Sequence, residues 1–406
     1  MSGLNGLGAE IAKNIILAQL GHVTLHDETA ACAADLGAHF YLDEADVGAA
    51  KNRAAACVAR LQELNPTVKV HASSAALSET LVWAHDIVVL VGHSRTVAEQ
   101  VSAWSRERKP APARVIWTSV NGLFGFVCND FGAEFVVNDA TGENPRTAIV
   151  ASIVQNETET LVSCVDDERI DFEEGDIVRL HEVEGMHGVH DVDFVVKDVQ
   201  KSSFKIGPTT QFSPYVSGGT VVQQKQPKLL QFASIADAFR APKGELLETD
   251  FAKFGRARLL LLAYEALEAL RDESAQALPA LNDVAAAKRI VELAAELNAK
   301  RAEADRVDGL ADAANVAILQ QLALTARAVL NPMAAFFGGI AGQEVVKAAT
   351  GKFHPIHQWL LFESLESAPD FNIEARADFV APASSRYTDQ IAVFGNSLQA
   401  KLADLK

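Results

Sequence analysis

The first third of the chain alternates between helix-like and strand-like segments. Apolar side chains recur at a helical spacing from Gly6 to Leu20, and the run from His22 to His26 alternates apolar and polar positions. Two later runs, Asp86 to Val91 and Arg114 to Thr118, are almost continuously apolar, which is typical of strands inside a parallel sheet. The pattern predicts an α/β fold for residues 1–150.

Residues 151–228 follow a different pattern. Short β-rich runs alternate there with turn formers such as Gly175, Gly207-Pro208 and Gly218-Gly219. The predicted strands are Thr160 to Val165, Asp176 to Leu180, Val192 to Val196, Ser203 to Ile206 and Thr220 to Gln223. We interpret this segment as a small all-β insert.

Helical spacing returns in residues 229–330, where three apolar stripes predict several antiparallel helices. The first stripe consists of Leu259, Leu262, Ala263, Ala266, Leu267 and Leu270, and the others span Val284 to Leu297 and Val316 to Leu330. Asn331 and Pro332 are suited to the start of a further helix that ends near Gly351. The pattern predicts a strand over 355–362.

The C-terminal segment has two parts. Residues 367–384 contain two prolines and many small side chains, which indicates a connector without a core of its own. Residues 385–406 begin a new helix-like segment that stops after a few turns. We interpret it as the truncated start of a further domain.

Composition narrows the class of protein. Hydrophobic residues make up 49% and charged residues 22% of the 406 positions, as in ordinary packed proteins. A net charge of -17 without a basic run disfavours nucleic acid as a partner, and no apolar stretch of about 20 residues predicts a membrane anchor. Four widely spaced cysteines favour a reducing compartment, so we expect a cytoplasmic and nuclear protein.

The sharpest local motif is a glycine run at the beginning of the chain. Gly3, Gly6 and Gly8 precede a helix-like segment, and closely spaced glycines let a backbone approach a phosphate. Asp27 follows about 20 residues later, where a dinucleotide-binding fold places an acid for ribose. A tight strand-to-helix turn and a helix-capping acid explain the same residues, and no strand is predicted before the first glycine.

Several motifs together resemble the inactive adenylation half of ubiquitin-activating enzymes. The residues that carry the resemblance run through nearly the whole chain in order: Gly122-Leu123-Phe124-Gly125, Asp130, Gly132, Glu134-Phe135, Asp139, Gly142-Glu143, Pro145-Arg146-Thr147, Asp250-Phe251-Ala252-Lys253-Phe254, Ala335-Phe336-Phe337-Gly338-Gly339, Gln343-Glu344-Val345, Gly351-Lys352-Phe353 and Phe362-Glu363-Ser364-Leu365-Glu366.

The resemblance implies a domain organisation. Residues 1–150 and 331–366 would form a Rossmann-type inactive adenylation domain like those of ThiF and MoeB, with its first strand missing. Residues 151–228 would be the first catalytic-cysteine half-domain, and 229–330 the four-helix bundle. The segment from Ser385 to Gly395 is similar to the opening of the active adenylation domain.

The family uses ATP and magnesium to adenylate the ubiquitin C-terminus, and then captures the acyl group on a cysteine. Against the pattern of the active half, only Asp27 and the lysine at Lys51 are retained here, and Gly92 to Arg95 replaces an acidic segment. The five glycine, aspartate and lysine positions are therefore interpreted as a vestigial nucleotide site. The resemblance implies that this chain binds no cofactor, contributes no catalytic residue and belongs to an ATP-dependent parent enzyme.

Without cofactor binding or catalysis, the roles that the resemblance leaves for this chain are partner recognition and scaffolding. The resemblance implies that the β insert helps to bind ubiquitin, and Arg179, Glu182 and Glu184 are the best candidates for this contact, together with His181 and Met186. A solvated hairpin turn explains the same residues equally well. The other implied partners are the active adenylation half of the same protein and, through the parent enzyme, ubiquitin-conjugating enzymes.

Alternative functions stay open at this point. The chain could serve an enzyme for another ubiquitin-like modifier, or it could be a stand-alone pseudoenzyme scaffold. A small NAD-dependent enzyme is disfavoured by the large β insert and by the absence of a hydride-transfer constellation in the sequence. The pairs His187/His190 and His354/His357 lack the accompanying ligands of a metal site, and we predict no metal there.

Overall fold

A computed structural model describes residues 1–165, 170–241, 246–248, 251–382 and 385–405. Two earlier predictions fall partly outside the described residues. Asp250, one of the residues that carry the resemblance, is not described, and neither are residues 383–384 of the predicted connector. The chain forms two compact units. The α/β unit comprises Met1–Phe135, Leu230–Thr350 and Pro355–Lys406, and the β unit comprises Val136–Leu229 and Gly351–His354.

The secondary structure elements are given in chain order. The strands are β1 (His22–His26), β2 (Lys69–Ser73), β3 (Ile87–Val91), β4 (Arg114–Asn121), β5 (Phe124–Asp130), β6 (Phe135–Val137), β7 (Thr147–Val154), β8 (Thr160–Cys164), β9 (Ile177–His181), β10 (Glu184–Gly185), β11 (Phe194–Val195), β12 (Ser203–Ile206), β13 (Tyr215–Ser217), β14 (Thr220–Gln223), β15 (Lys228–Leu230) and β16 (Trp359–Glu363). The α-helices are α1 (Gly6–Leu17), α2 (Glu44–Gly48), α3 (Arg53–Gln62), α4 (Glu79–Trp83), α5 (Arg95–Glu107), α6 (Ile235–Ala238), α7 (Arg256–Glu273), α8 (Val284–Lys300), α9 (Ala313–Leu324), α10 (Asn331–Thr350), α11 (Thr388–Phe394) and α12 (Asn396–Ala403).

The α/β unit contains a four-stranded sheet in the order β16-β5-β4-β3. Its apolar runs β3 and β4 pair in parallel, whereas β5 and β16 extend the sheet in antiparallel pairs. Strands β1 and β2 form a separate parallel pair. Ser2 connects the two groups because it forms parallel bridges with both His26 of β1 and Leu90 of β3.

The position of Ser2 corrects one sequence-based expectation. The chain was expected to have no strand residue before the glycine run, since only two residues precede Gly3. In the structure, the Ser2 amide donates to Val89 O (2.8 Å) and Ser2 O accepts from the Val91 amide (2.9 Å). Ser2 therefore occupies a strand position between β1 and β3, directly before the glycine run.

The helical bundle consists of α7, α8 and α9 in the described part of 229–330. All six residues of the predicted stripe on α7 are buried. They share one apolar core with β4, β5 and β16, and the Trp117, Phe126 and Trp359 rings meet at that sheet surface. The predicted combination of a mixed α/β fold, a helical bundle and a β insert is confirmed.

Helix α10 packs along α1 through small residues. A Cβ atom at Gly338 would lie 2.5 Å from the Glu10 Cβ, and one at Gly342 would lie 2.9 Å from the Asn14 Cβ. These two glycines therefore serve contacts inside the chain. Gly339 points away from α1 and has open space around it.

The β unit contains a six-stranded sheet in the order β11-β9-β14-β7-β8-β12. Its core is built from alternate strand residues such as Val162, Val178 and Phe204. The strands predicted at Ser203 to Ile206 and Thr220 to Gln223 have the expected bounds. The structure begins this unit at Val136 and not at residue 151, because β7 starts at Thr147 and pairs with both β8 and β14.

Among the described residues, none of the helices combines the length and hydropathy needed to cross a membrane.

Candidate functional site

The glycine run forms a tight turn between the Ser2 strand position and α1. Gly3 has φ +96°, a left-handed conformation that favours glycine, and its amide donates to His26 O (2.9 Å). Gly8 packs so closely on Gly3 that an added Cβ would lie 2.0 Å from Gly3 O. Asn5 caps α1 by accepting from the Gly8 amide (3.1 Å). Gly3 and Gly8 are therefore required by the turn itself.

The first turn of α1 is covered by the segment that follows β1. The segment Ala33–Gly37 forms a 3-10 turn, and the Ala38 that follows lies against Gly6. A Cβ at Gly6 would be 2.5 Å from the Ala38 Cβ and 2.9 Å from Ala38 O. In a phosphate-binding turn the same glycine would let a ligand approach; here it lets Ala38 approach.

Both oxygens of the Asp27 carboxylate accept hydrogen bonds from groups of the same chain. Its Oδ2 accepts from the Leu4 amide (2.6 Å), and its Oδ1 accepts from the Thr29 amide (2.8 Å) and hydroxyl (2.5 Å). The residue is 5% exposed. Asp27 thus fixes the glycine turn to the end of β1, and its acceptor oxygens are directed at protein donors.

Arg53 completes this polar centre, and sequence reasoning missed it. Its guanidinium donates to Asp35 Oδ2 from Nε (2.9 Å) and to the Thr29 hydroxyl from Nη1 (2.9 Å). The same group lies 3.9 Å from Asp27 Oδ2. We refer to Asp27, Thr29, Asp35 and Arg53 as the polar centre. The two buried carboxylates of this centre, Asp27 and Asp35, share the one guanidinium of Arg53.

Lys51 does not join the polar centre. Its Nζ pairs with Asp46 Oδ1 at 2.8 Å, and this hydrogen bond lowers the pKa of Asp46 to about 2. Arg60 contacts the other oxygen of Asp46 (2.9 Å). The structure therefore brings together Gly3, Gly6, Gly8 and Asp27, but it places Lys51 in a separate ion-pair cluster on α2.

The loop before α5 is held by a carboxylate from the bundle. Ser94 caps α5, and the Arg95 amide at its first turn donates to Glu268 Oε2 of α7 (2.7 Å). Glu268 is buried, and burial raises its pKa. A helix N-terminus favours negative charge, and here the bundle supplies that charge. No local sequence pattern indicates this contact, since 173 residues separate its partners.

A second buried network lies beside the glycine turn. The Ser2 hydroxyl is 2.8 Å from His26 Nδ1 and 2.7 Å from His93 Nε2. Burial lowers the pKa of His93 to about 4, so its ring is neutral at physiological pH. His93 lies in the segment Gly92 to Arg95, which follows β3 directly. It holds the glycine turn and the β3 end together through a neutral hydrogen bond.

The C-terminal segment packs on the same region. Arg386 Nη2 donates to Leu36 O (2.9 Å), and Asp389 Oδ2 accepts from the Val329 amide (2.8 Å). Burial raises the pKa of Asp389 to about 6. Residues 385–394 therefore rest on the 3-10 turn that covers α1.

The candidate contact residues of the β unit lie around β9 and β10. Arg179 donates to Asp193, and the Ser217 hydroxyl donates to Glu184. Glu182 is exposed in a left-handed turn conformation with φ +55°. Met186 is fully buried, so its predicted partner-facing position is wrong: it belongs to the apolar core of the sheet.

The cysteines and histidine pairs show no built metal-ligand set in the described part of the chain. Cys57 and Cys164 are buried, and burial raises their pKa values to about 12 and about 11. Cys32 is the exposed thiol among the four. His190 Nδ1 contacts Leu180 O (3.1 Å), and His357 Nε2 contacts Gln231 O (2.9 Å).

Comparison with known proteins first defines the class of domains. Residues 157–225 match the family model described as the ubiquitin-activating enzyme E1 FCCH domain. Residues 226–298 match the model described as the ubiquitin-activating enzyme E1 four-helix bundle. The two matches cover most of the β unit and most of the bundle segment.

Whole-chain relatives then identify the family. All of this chain aligns with "Ubiquitin-activating enzyme E1 2" of Arabidopsis thaliana at 43% identity over 412 residues, and with "Ubiquitin-activating enzyme E1 1" of Triticum aestivum at 44% over 408 residues. It is 38% identical over 407 residues to "Ubiquitin-like modifier-activating enzyme 1" of Homo sapiens. The alignments span 37%, 38% and 37% of those relatives. The chain belongs to the ubiquitin-activating enzyme E1 family and corresponds to the N-terminal part of such an enzyme.

Proposed function

We propose that this chain is the non-catalytic N-terminal part of an enzyme that adenylates the ubiquitin C-terminus with ATP and magnesium and captures it as a cysteine thioester. In this proposal, residues 1–135 with α10 and β16 form a ThiF/MoeB-like inactive adenylation domain. The parent enzyme would act in the cytoplasm and nucleus and would pass ubiquitin to conjugating enzymes. The chain itself recognises ubiquitin and supports the active half.

The observation that carries the non-catalytic role is the closed polar centre. Asp27 directs its oxygens at Leu4 and Thr29, and Gly6 lies against Ala38. A nucleotide site needs acceptors and backbone amides that face a ligand. Here the same groups stabilise the turn, while Glu268 supplies negative charge to the start of α5.

A role as scaffold is supported by the outward face of α10. Pro332, Ala335, Phe336 and Gly339 are exposed, and Gly339 has open space beside it. The other side of the helix is already packed on α1. An exposed helix face of apolar and small residues suits close packing of another helix, as a second adenylation half would provide.

The first experiment separates catalysis from recognition. The purified chain is assayed for ATP:pyrophosphate exchange with ubiquitin, with a complete ubiquitin-activating enzyme as positive control. We expect no exchange above background. Exchange that depends on the chain and on ubiquitin would contradict the non-catalytic assignment.

The second experiment tests recognition directly. Labelled ubiquitin is titrated into the chain at low salt, and in parallel into a Glu182→Lys/Glu184→Lys variant. We expect weak, saturable binding that the charge reversal weakens, because acidic side chains complement a basic partner surface. A folded chain that binds no ubiquitin would restrict this part of the enzyme to scaffolding. Stronger binding of a different ubiquitin-like modifier would favour the alternative substrate.

A further inference from the structure

The α/β unit contains a groove lined by the start of β5, the C-terminal end of α9, the segment 365–379 and α11. The groove holds roughly 370 Å³ of space, part of which is open to solvent. Small-molecule sites are commonly concave and mostly apolar, with a few polar groups that orient the ligand. We refer to this space as the bundle groove. Its apolar lining residues are Leu123, Phe124, Leu324, Leu365, Phe371 and Val393.

The positive charge on the lining of the bundle groove comes from Arg376, which is half-buried. Its Nε and Nη2 atoms donate to Asn282 Oδ1 (3.1 and 2.5 Å), and Nη2 also donates to Ala392 O (3.3 Å). The guanidinium carbon lies 3.7 Å from the centroid of the Phe379 ring. These contacts hold the plane of the guanidinium, while its Nη1 group has no acceptor among the described residues.

The charge of Arg376 has no acidic partner in the part of the chain that the structure describes. Both of its acceptors, Asn282 Oδ1 and Ala392 O, are neutral. Burial lowers the pKa of Arg376, and no neighbouring carboxylate raises it again. Arg301 of the same unit differs, because its guanidinium pairs with Glu265 at 2.7 Å. An anion from outside the chain would supply the charge-assisted hydrogen bond that Arg376 lacks.

Asp370 is the acidic residue on the lining of the bundle groove. It is exposed, and it forms no ion pair with Arg376. Water and salt screen an exposed carboxylate, whereas the half-buried guanidinium acts in less polar surroundings. Attraction by Arg376 therefore outweighs repulsion by Asp370 for a bound anion.

The segment that carries Arg376 is fixed to the helical bundle. The Asn282 Nδ2 group donates to Phe379 O (2.7 Å), and Lys288 on α8 pairs with Glu374 (3.2 Å). A ligand that enters the bundle groove thus meets a lining that is already ordered. Preorganisation of this kind lowers the entropic cost of binding.

We propose that the bundle groove binds a small carboxylate that carries an apolar group. The carboxylate accepts from Nη1 of Arg376, and the apolar group contacts the apolar lining. This inference goes beyond the proposed function, because it requires neither ubiquitin nor ATP. A free carboxylic acid and the C-terminal residue of a peptide share this chemistry, and the experiment separates them.

The test titrates three compounds into the full chain, with saturation-transfer NMR as the measurement. 3-Phenylpropionate represents a free carboxylic acid, and N-acetylphenylalanine represents the C-terminal residue of a peptide. 3-Phenylpropionamide has the shape of the first compound without its charge. We expect a Kd on the order of 1 mM for acids of about 10 to 15 non-hydrogen atoms, and about tenfold weaker binding of the amide. The acid that binds more tightly identifies the source of the carboxylate.

Two variants locate the binding. Arg376→Gln removes the charge and should weaken binding of the acids about tenfold, with little effect on the amide. Ala368→Leu leaves the guanidinium in place and fills part of the groove, so it should weaken binding of all three compounds. The matched control is Arg289→Gln, at a guanidinium of α8 that pairs with Glu273 (2.8 Å), and it should bind within about twofold of the unmodified chain. Circular dichroism confirms that each variant is folded.

Equal binding of 3-phenylpropionate and its amide would overturn the inference. Unchanged binding of the acids by a folded Arg376→Gln variant would overturn it as well. If that variant does not fold, Ala368→Leu and the comparison of acid with amide still decide the question. Absence of acid binding by the folded, unmodified chain would also overturn the inference and would leave the proposed function unaffected.

Discussion

The polar centre of the α/β unit and four exposed aliphatic residues of the β unit, Ile149, Val154, Leu161 and Val165, differ in how their side chains are partnered. We refer to these four residues as the aliphatic patch. In the polar centre, charged groups are buried, and every oxygen of Asp27 has a donor from the same chain. In the patch, apolar groups are exposed, and no contact within the sheet covers them. A buried polar group with its partners in place requires nothing from outside, whereas an exposed aliphatic group gains by association. The Asp27 carboxylate therefore has its donors within the chain, whereas the aliphatic side chains of the patch face solvent.

Four predictions test this comparison, and the first has the largest effect. Asp27→Ala removes a buried acceptor and leaves the Leu4 and Thr29 donors without it, so we expect a loss of about 3 kcal/mol in the free energy of unfolding. All four tryptophans, Trp83, Trp104, Trp117 and Trp359, lie in the α/β unit, so tryptophan fluorescence during urea unfolding monitors that unit.

The control for this prediction is Asp308→Ala, which removes an exposed carboxylate in the same unit. Its effect should stay within about 0.5 kcal/mol. Equal effects of the two substitutions would mean that the Asp27 hydrogen bonds do not hold the glycine turn.

The second prediction concerns Asp389 and pH. Its pKa is raised to about 6 by burial, so the folded chain binds this proton more tightly than the unfolded chain does. The ionised group therefore destabilises the folded state above about pH 6, and this effect fades as the pH falls toward the ordinary aspartate pKa of about 4. Asp389→Asn removes the charge while its Oδ1 can still accept from Val329.

We expect Asp389→Asn to stabilise the α/β unit by about 2 kcal/mol at about pH 7.5, with a smaller difference at about pH 5. The measurement is urea unfolding of both proteins across this range. A constant difference at every pH would show that the charge of Asp389 is not the cause.

The third prediction compares two helical glycines in opposite surroundings, one in close contact and one in open space. Gly6→Ala introduces a Cβ that would meet the Ala38 backbone, and we expect a loss of about 2 kcal/mol from overpacking. Gly339→Ala adds a Cβ to open space on a helix and should stabilise α10 by about 0.5 to 1 kcal/mol. Opposite signs in urea unfolding would confirm that the start of α1 is closed; equal signs would argue that the Ala38 segment moves away readily.

The smallest effect is expected on the outer face of the β unit. Ile149→Thr should change the stability of this unit by less than about 0.5 kcal/mol, because the side chain is largely exposed. Val178→Thr places a hydroxyl in the core of the same sheet and should cost about 2 kcal/mol. Amide hydrogen exchange of the β-unit strands measures both. A comparable loss for Ile149→Thr would show that this exposed side chain contributes to the folding of the β unit.

Local pattern predicted much of the fold. The stripe on α7 and the strands Ser203–Ile206 and Thr220–Gln223 were recognisable because helical and strand periodicity are properties of neighbouring residues. Strand β7 was divided by the predicted boundary at residue 150, since its partners β8 and β14 decide where the sheet begins. A boundary depends on pairing, and pairing is not visible in a local pattern.

The candidate site around the glycine run was less predictable, because most of its contacts join residues that are distant in sequence. The glycine run and Asp27 form a recognisable motif because they are close in sequence. Arg53 and Glu268 meet their partners only after folding, and no spacing rule links Glu268 to Arg95. The exposed patch escaped notice because alternating apolar residues in a strand do not reveal which face a neighbouring layer covers.

The pairing of two strands that are distant in sequence has a consequence for synthesis of the chain. Strand β16 pairs with β5, and Gln358 donates to Asn129 O (3.0 Å) across 229 residues of sequence. At about 5 to 20 residues per second, a ribosome needs roughly 10 to 45 seconds to make the intervening chain. During that interval the edge of β5 that pairs with β16 stays unpaired. The β unit has already emerged by then, because most of it is one continuous segment, Val136–Leu229. The nascent α/β unit is thus exposed to chaperones and to misassociation for longer than the domain inserted within it.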